Sequence, residues 1–391
     1  MAFALEGVKV IEMGPYNSAN MAAQYLGDLG ADVIVVEPPD VSRALGSEWS
    51  KSDRFKPQVN RNKRMIGLDL KQEEARAILH QLAKNADVLI ESFRPGIAKK
   101  LGFDYDTLSA INPRLIVASM SGYGQKGPYA HMSFHTGAVE ATGGWSLTHG
   151  NSLGNMGGDY IGKPFVPQLP IGELKAGPNF TIAIVTALYA REKTGTGQYI
   201  DFALLDGVIT VRDPSVPARG VDVFDRDAPA QNNYECKDGK YICLAIPEPV
   251  QWRNLCEGLG MPELAKENLS RIKGPRANEI IETFQRIFKT RTRDEWFNHL
   301  NQWDTEVAKA NTLDEARDDP QIKLREMHVE VVGKDGYREI QYGTPYKFSK
   351  TPARKVHTRA PKLGEDTPKI LAELGFKQAD ITRLKKAGTV I

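Results

Sequence analysis

Three side chains in this chain are of a type and setting that suit acid–base or nucleophilic chemistry: His135, Glu173 and Glu248. Glu173 lies in Pro170-Ile171-Gly172-Glu173-Leu174-Lys175-Ala176-Gly177, where an apolar helix begins. A carboxylate there faces the positive end of the helix dipole, as a nucleophile or as a plain N-terminal capping acid. His135 follows Phe134 and reads either as a reactive imidazole or as a buried, hydrogen-bonded one. Glu248, between Pro247 and Pro249, is a site acid or a loop acid. Two further patterns suit ligand binding. Asn60-Arg61-Asn62-Lys63-Arg64, Ser92-Phe93-Arg94-Pro95-Gly96 and Lys99-Lys100 are basic and turn-rich, which suits the phosphates of a nucleotide-like ligand or a solvated surface. Ser121-Gly122-Tyr123-Gly124-Gln125-Lys126-Gly127-Pro128 has the glycines of a backbone that approaches a ligand, or of an ordinary loop.

The elements that must position these residues alternate. Val8 to Met13 is a short β-branched run, Ala19 to Leu29 has apolar residues at helical spacing and ends at Gly30, and Val33 to Val36 is a second strand. This is a βαβ unit with a parallel, right-handed connection. Met65 to Leu70, Val88 to Glu91 and Leu115 to Met120 read as further strands, with a helix over Glu73 to Lys84. Parallel strands need helices on both faces, so the fold class is α/β, a doubly wound sheet. The last two basic segments fall near the carboxyl ends of strands, where such sheets bind ligands. The first turn, Gly14-Pro15-Tyr16-Asn17-Ser18-Ala19, lacks the G-x-G-x-x-G spacing of a dinucleotide site. Further on, Gly143 to Pro167 reads as a long functional loop, Gly177 to Arg191 as a helix, Tyr199 to Leu204 as a strand and Asn233 to Ala245 as a hairpin around Asp238-Gly239. Composition shifts near residue 215, residues 250 to 318 have helical periodicity, and the tail turns helical from about Thr367.

Composition excludes several classes. The 391 residues are enough for two or three domains, and 41% hydrophobic with 26% charged residues is ordinary for a globular chain. The net charge of +2 argues against nucleic acid as the main partner. Cys236, Cys243 and Cys256 have neither metal-site nor disulfide spacing and read as reduced thiols of a cytoplasmic protein, with no metal expected. No apolar run has the length of a signal peptide or a membrane span.

Taken in order, many short motifs resemble one family. They are Leu5-Glu6-Gly7-Val8-Lys9-Val10-Ile11-Glu12, Leu29-Gly30-Ala31-Asp32 through Glu37-Pro38-Pro39, Asn62-Lys63-Arg64 with Leu68-Asp69-Leu70-Lys71, and Ala86-Asp87 through Arg94-Pro95-Gly96. Asn112-Pro113-Arg114-Leu115-Ile116, Gly122 to Pro128, Ala187 to Gln198, Asp319-Pro320-Gln321 and Ala360 to Thr367 follow. The chain resembles the class III coenzyme A transferases, a family that also contains α-methylacyl-CoA racemases. The resemblance implies a large Rossmann-like domain (1–215), a smaller α/β domain with linkers (216–330) and a C-terminal segment (331–391) that returns to the large domain. It also implies a homodimer of two interlocked subunits with its active site at the domain interface. No cofactor is held permanently, and coenzyme A enters as the carrier half of an acyl-CoA substrate. Arg43, Leu68, Ser92, Arg94, Lys100 and Lys126 fall at positions that contact it; Ser92 stands where Asn is usual and Lys100 where Arg is frequent.

For catalysis the resemblance leaves three readings. As a transferase, the chain would use Glu173, where relatives carry Asp, to attack the acyl-CoA thioester and pass through a mixed anhydride and an enzyme-bound CoA thioester to a second carboxylic acid. As a racemase or epimerase of 2-methylacyl-CoAs, it would set His135 and Glu173 on opposite faces of the α-carbon with Glu248 in support; Thr136 replaces an acid that often follows that His. As a non-catalytic CoA-binding partner subunit, it would carry Glu173 as a mark of lost activity. The acyl group is not encoded legibly: Gly143 to Pro167 and Asp213 to Asn233 are expected to line its pocket, with Trp145 and Tyr160 read as packing residues.

Overall fold

The computed structural model describes residues 2–14, 17–39, 59–144, 171–210, 228–246, 248–268, 272, 274–333, 336–355 and 357–391. Arg43, Trp145 and Tyr160 lie outside the described residues, with most of Gly143–Pro167 and the first part of Asp213–Asn233. The described chain divides into two compact units: a larger one of residues up to 144, 171–210 and 325–391, and a smaller one of 228–324.

In the larger unit β1 (Lys9–Met13), α1 (Asn17–Asp28), β2 (Asp32–Glu37) and β3 (Lys63–Gly67) are followed by α2 (Glu73–Lys84), β4 (Val88–Glu91), α3 (Ile97–Leu101), α4 (Tyr105–Ile111) and β5 (Ile116–Ser121). Next come α5 (Thr136–Thr142), α6 (Ile171–Thr194), β6 (Tyr199–Ala203) and α7 (Leu204–Ile209). The six strands lie in the order β3-β2-β1-β4-β5-β6, all parallel. Strand order therefore reverses between β1 and β4, and the crevice outside their carboxyl ends is the ligand edge of such a sheet. Every residue of β4 and β5 is buried, because helices cover both faces. Val10, Ile90 and Ala118 pack with Leu26 of α1 and Phe180 and Ile184 of α6; Ile11, Leu89 and Val117 pack on the other side with Ile78 and Leu79 of α2. The α2 helix shows why its sequence was readable. Glu73 and Glu74 open it, Lys84 closes it, and Ala75, Ile78, Leu79 and Leu82 form one buried stripe.

The C-terminal segment belongs to the same unit. Its strands β10 (His328–Val332), β11 (Arg338–Tyr342) and β12 (His357–Thr358) form a small sheet, and α13 (Thr367–Glu373) and α14 (Gln378–Lys386) put Ile370, Leu371, Ile381 and Leu384 into the core beneath β1 and β4. Leu68 forms a β-bridge with Val390. The return begins at residue 325 because β10 already pairs with β11 and β12.

The smaller unit holds the antiparallel sheet β7 (Asn233–Glu235), β8 (Tyr241–Leu244), β9 (Val307–Ala310) with α8 (Pro249–Gly258), α9 (Pro275–Phe288), α10 (Arg293–Leu300), α11 (Leu313–Asp318) and α12 (Pro320–Leu324). The Asp238-Gly239 turn closes the expected hairpin, with Gly239 at φ +74° and its N–H donating to the Cys236 carbonyl at 3.0 Å. Tyr234, Trp252, Phe284, Phe288 and Trp296 form its aromatic core. The three cysteines are free; burial pushes the Cys236 thiol up to about 11 and Cys256 to about 12. Among the described residues no helix is long and apolar enough to cross a membrane.

The structure corrects the reading of Asn60 to Arg64 as a phosphate patch. β3 starts at Lys63, inside the basic run, because these cations have partners within the larger unit. Arg61 is buried and its Nη2 meets Asp28 Oδ2 at 2.6 Å. Arg64 pairs with Asp32 at 2.5 Å and Glu373 at 2.7 Å. Lys63 Nζ, fully buried, meets Glu12 Oε2 at 2.6 Å, and Asn20 Nδ2 donates to the other Glu12 oxygen at 2.6 Å. Burial alone pushes the Glu12 carboxyl up and the Lys63 ammonium down, and the pair's attraction opposes both. Removing one member of such a pair leaves a buried charge alone. Lys63→Met is expected to cost about 3–5 kcal/mol, and the Glu12→Met/Lys63→Met double variant to recover most of that. Urea unfolding of the three proteins measures the loss and its recovery.

Candidate active site

Glu173 sits in the first turn of α6, partly buried. Because α6 leads directly into β6 and β6 runs parallel to β5, the helix returns from the carboxyl edge of the sheet, and its first turn lies on that side. Close packing fixes the helix. A Cβ added at Gly177 would lie 2.7 Å from Met21 Sδ of α1, and one at Gly172 would lie 2.8 Å from Val208 Cγ2 of α7. These glycines are small because neighbouring helices approach the α6 backbone itself.

The second element of the site is α5, whose N-cap is His135. The His135 carbonyl accepts from the Ala138 and Val139 N–H groups at 2.9 and 3.2 Å, while its imidazole is exposed. The chain reaches α5 through the glycine-rich segment. Gly122 has no room for a side chain against the buried Phe134 ring, so that ring anchors the residue preceding His135. Gly124 and Gly127 have φ +87° and +102°, and Gln125 N–H donates to both Asp201 carboxylate oxygens at 3.1 Å. The two elements meet at Glu173: Thr136 Oγ1 donates to Glu173 Oε1 at 2.5 Å. One turn along α5, the buried Glu140 accepts the Gly172 N–H at 3.1 Å. Thus the residue that follows His135 bonds Glu173, while the exposed His135 imidazole itself has no bond to that carboxylate. Glu248 belongs to the smaller unit. It caps α8 through its carbonyl, which accepts the Trp252 N–H at 3.0 Å, and its side chain is exposed without a capping bond.

The residues read as CoA contacts differ in character. Leu68 is buried in the core and its N–H is taken by the Glu37 carbonyl at 2.8 Å. Ser92 is buried at the reversal point, its N–H on the Met13 carbonyl at 3.2 Å and its Oγ so near Gly14 that a Cβ there would lie 2.5 Å away. Arg94, Lys100 and Lys126 are exposed and form no ion pair with any described residue. They follow β4 or β5, so they stand toward the carboxyl side of the sheet with charge available to an anion. Among the described residues no group of three or more His, Cys, Asp or Glu could hold a metal ion.

Two acids were not singled out from sequence. Glu140 was legible in principle, since Thr136 and Glu140 stand four apart in Thr-Gly-Ala-Val-Glu, the spacing of one helix face. Glu91 gave no signal beyond the end of a strand. In the sheet, Met13, Glu91, Ser119 and Asp201 are cross-strand neighbours in one row at the carboxyl edge. Burial raises the Glu91 carboxyl to about 7, against hydrogen bonds from Ser119 and the Phe93 N–H, and with help from the Asp201 charge.

The family model for CoA-transferase family III matches residues 5–367. A formyl-CoA:oxalate CoA-transferase of Bradyrhizobium sp. (strain ORS 278) is 30% identical, over 100% of this chain and 98% of that protein. A succinyl-CoA–L-malate CoA-transferase β subunit of Chloroflexus aurantiacus is 31% identical, over 97% and 96%. The crystal structure of a CAIB/BAIF family protein from Brucella suis superposes with TM-score 0.77 at 30% identity, over 96% of this chain and 100% of that one. The chain belongs to CoA-transferase family III and is an enzyme of that class.

The buried Glu91 makes stability depend on pH in a defined direction. Its carboxyl holds a proton longer in the folded than in the unfolded chain, so folding stability falls as pH rises from the ordinary carboxyl range to about 7 and is level above it. A shift of this size corresponds to about 3 kcal/mol. Glu91→Gln is expected to abolish that slope and to be the more stable protein at pH 8, which urea titrations at pH 5, 6, 7 and 8 measure.

Proposed function

We propose that the enzyme transfers CoA between two small carboxylic acids, with Glu173 as the nucleophile. A Glu173 oxygen attacks the thioester carbonyl of the donor, a C–O bond forms and the C–S bond breaks, giving a mixed anhydride and CoA thiolate. The thiolate attacks the glutamyl carbonyl and releases the first acid, leaving a glutamyl-CoA thioester. The second acid attacks that thioester through its carboxylate, and returning thiolate takes its acyl group and restores Glu173. The observation that carries this reading is the Glu173 carboxylate in the first turn of α6, with Oε1 bonded by Thr136 and Oε2 without a partner among the described residues. Arg94, Lys100 and Lys126, with Arg43, would take the CoA phosphates; Ser92 and Leu68 would border the cofactor through backbone and packing. His135 and Glu248 are assigned here to substrate contact. The substrate class follows from the relatives, whose names pair formyl-CoA with oxalate and succinyl-CoA with L-malate, so short dicarboxylates are the first acids to test.

Hydroxylamine added during turnover is expected to convert Glu173 to its hydroxamate, found by mass spectrometry only when acyl-CoA is present. Glu173→Gln is expected to lose at least about 10³-fold in CoA transfer. Full transfer by that variant would sink the reading. The racemase alternative, with His135 and Glu173 as the proton-transferring pair, predicts α-deuterium in 2-methylacyl-CoAs in heavy water without any acceptor acid, and His135→Ala would remove it.

The interlocked homodimer is also part of the proposal. Leu174, Ile182, Val185 and Tyr189 are exposed at helical spacing along α6, an apolar stripe that a second copy of the chain would cover. The β-subunit name of one relative makes a heteromeric partner the competing occupant. Light scattering of the purified chain is expected to give the mass of a dimer, and Ile182→Asp/Tyr189→Asp the mass of a monomer; a monomeric parent chain would count against self-pairing.

A further inference from the structure

We infer that Thr136 is a catalytic residue, an oxyanion donor dedicated to one oxygen of Glu173, and that Glu140 is a positioning residue for the same oxygen. The inference rests on the proposed transfer chemistry and adds to it a distinction between the two carboxylate oxygens. Thr136 Oγ1 donates to Oε1 at 2.5 Å, and Oε2 has no partner among the described residues. Only Oε2 is then free to attack a thioester. In the anhydride that forms, Oε2 becomes the bridging atom and Oε1 the glutamyl carbonyl oxygen. When CoA thiolate adds to the glutamyl carbon, the displaced electron pair goes to Oε1, where the Thr136 hydroxyl already points. Collapse breaks the bond from the glutamyl carbon to Oε2, so that oxygen leaves with the first acid. The second acid supplies the replacement, again as the bridging atom, and it stays on Glu173 when thiolate attacks the acyl side.

The rest of α5 holds this arrangement. Glu140, four residues along, accepts the N–H of Gly172, immediately before Glu173. That N–H is one of the donors a helix start leaves without an intrahelical partner, and a buried carboxylate fits the positive helix end. Two bonds from one face of α5 therefore fix both the backbone and the carboxylate of the first turn of α6. A Cβ on Gly172 would sit 2.8 Å from Val208 Cγ2, so α7 packs directly against the backbone of this turn. A threonine is suited to the task because its branched side chain has few rotamers.

The test follows the oxygens. The enzyme is cycled through many turnovers with an acceptor acid labelled with ¹⁸O in both carboxylate positions, in ordinary water, and the peptide containing Glu173 is weighed. A dedicated oxygen predicts one ¹⁸O on Glu173 at the plateau, however long the cycling. Thr136→Val is expected to accumulate two, with kcat lower by about 10²–10³-fold, the effect of losing one oxyanion donor, and KM for acyl-CoA little changed. Thr136→Ser, which keeps the hydroxyl, is expected to restore one label and most of kcat. Glu140→Leu is expected to give two labels and Glu140→Gln one. Two labels on the parent enzyme would overturn the inference while leaving the glutamyl mechanism standing, and needs no variant to fold. No label at all, with no hydroxamate, would instead remove the transfer mechanism on which it rests.

Discussion

Backbone-level contact around the first turn of α6 is the constraint on which the site depends. Val208 stands against Gly172 and Met21 against Gly177, so α1, α6 and α7 are held at distances that a single methyl group would violate. Interiors packed this tightly do not deform continuously, and a carboxylate at such a helix start inherits their rigidity. The same packing explains an otherwise unfavourable sequence. Pro178 removes the N–H that would bond the Leu174 carbonyl, and the glycines add backbone entropy, so α6 is poorly disposed to start where it does from local propensity. Its tertiary neighbours override that propensity.

Charge is divided between two tasks along the same sheet. Arg61, Lys63 and Arg64 are committed to Asp28, Glu12 and to Asp32 with Glu373, and through Glu373 the last pair ties the C-terminal segment to β3. Arg94, Lys100 and Lys126 have no such partners among the described residues. A buried cation is stable only with a nearby acid, so the cations beside the strands have been matched within the fold. Those beyond the carboxyl ends of β4 and β5 remain available for a polyanion. The exposed set carries less structural cost when unoccupied, because water solvates it.

What could be read from sequence follows from the range of the interactions. β4 and α2 fall where expected because buried β-branched runs and helical stripes are local patterns. β3 begins earlier than expected and the basic run was misread, because the acids that neutralise it come from Asp28 and Glu12, far away in the chain. The helix read over Gly177 to Arg191 starts earlier, at Ile171, close to the beginning inferred at Glu173, and α5 went unread because Thr-Gly-Ala-Val-Glu-Ala-Thr has little helix propensity of its own. His135 and Glu173 stood out by type and local setting, and the family resemblance, which compares positions, supplied their roles. The raised carboxyl of Glu91 was out of reach, because it arises from neighbours on other strands that only the register Glu91–Ser119–Asp201 brings together.

The glutamate itself poses the remaining question. One methylene more than aspartate adds a rotatable bond and moves the carboxylate further from the backbone, and both work against a reaction that is sensitive to placement. A chain that had merely lost its nucleophile would have no need to restrain the replacement. Here the side chain is held by a hydroxyl on one of its oxygens, and the backbone N–H of the residue before it is held by the Glu140 carboxylate. The Thr136 bond is not required by burial, since a partly buried glutamate at a helix start would be well solvated without it, whereas the Glu140 bond also satisfies a buried carboxylate. Restraint of a flexible acid where solvation would serve is the pattern expected of a working group, and it weighs against the non-catalytic reading of the chain.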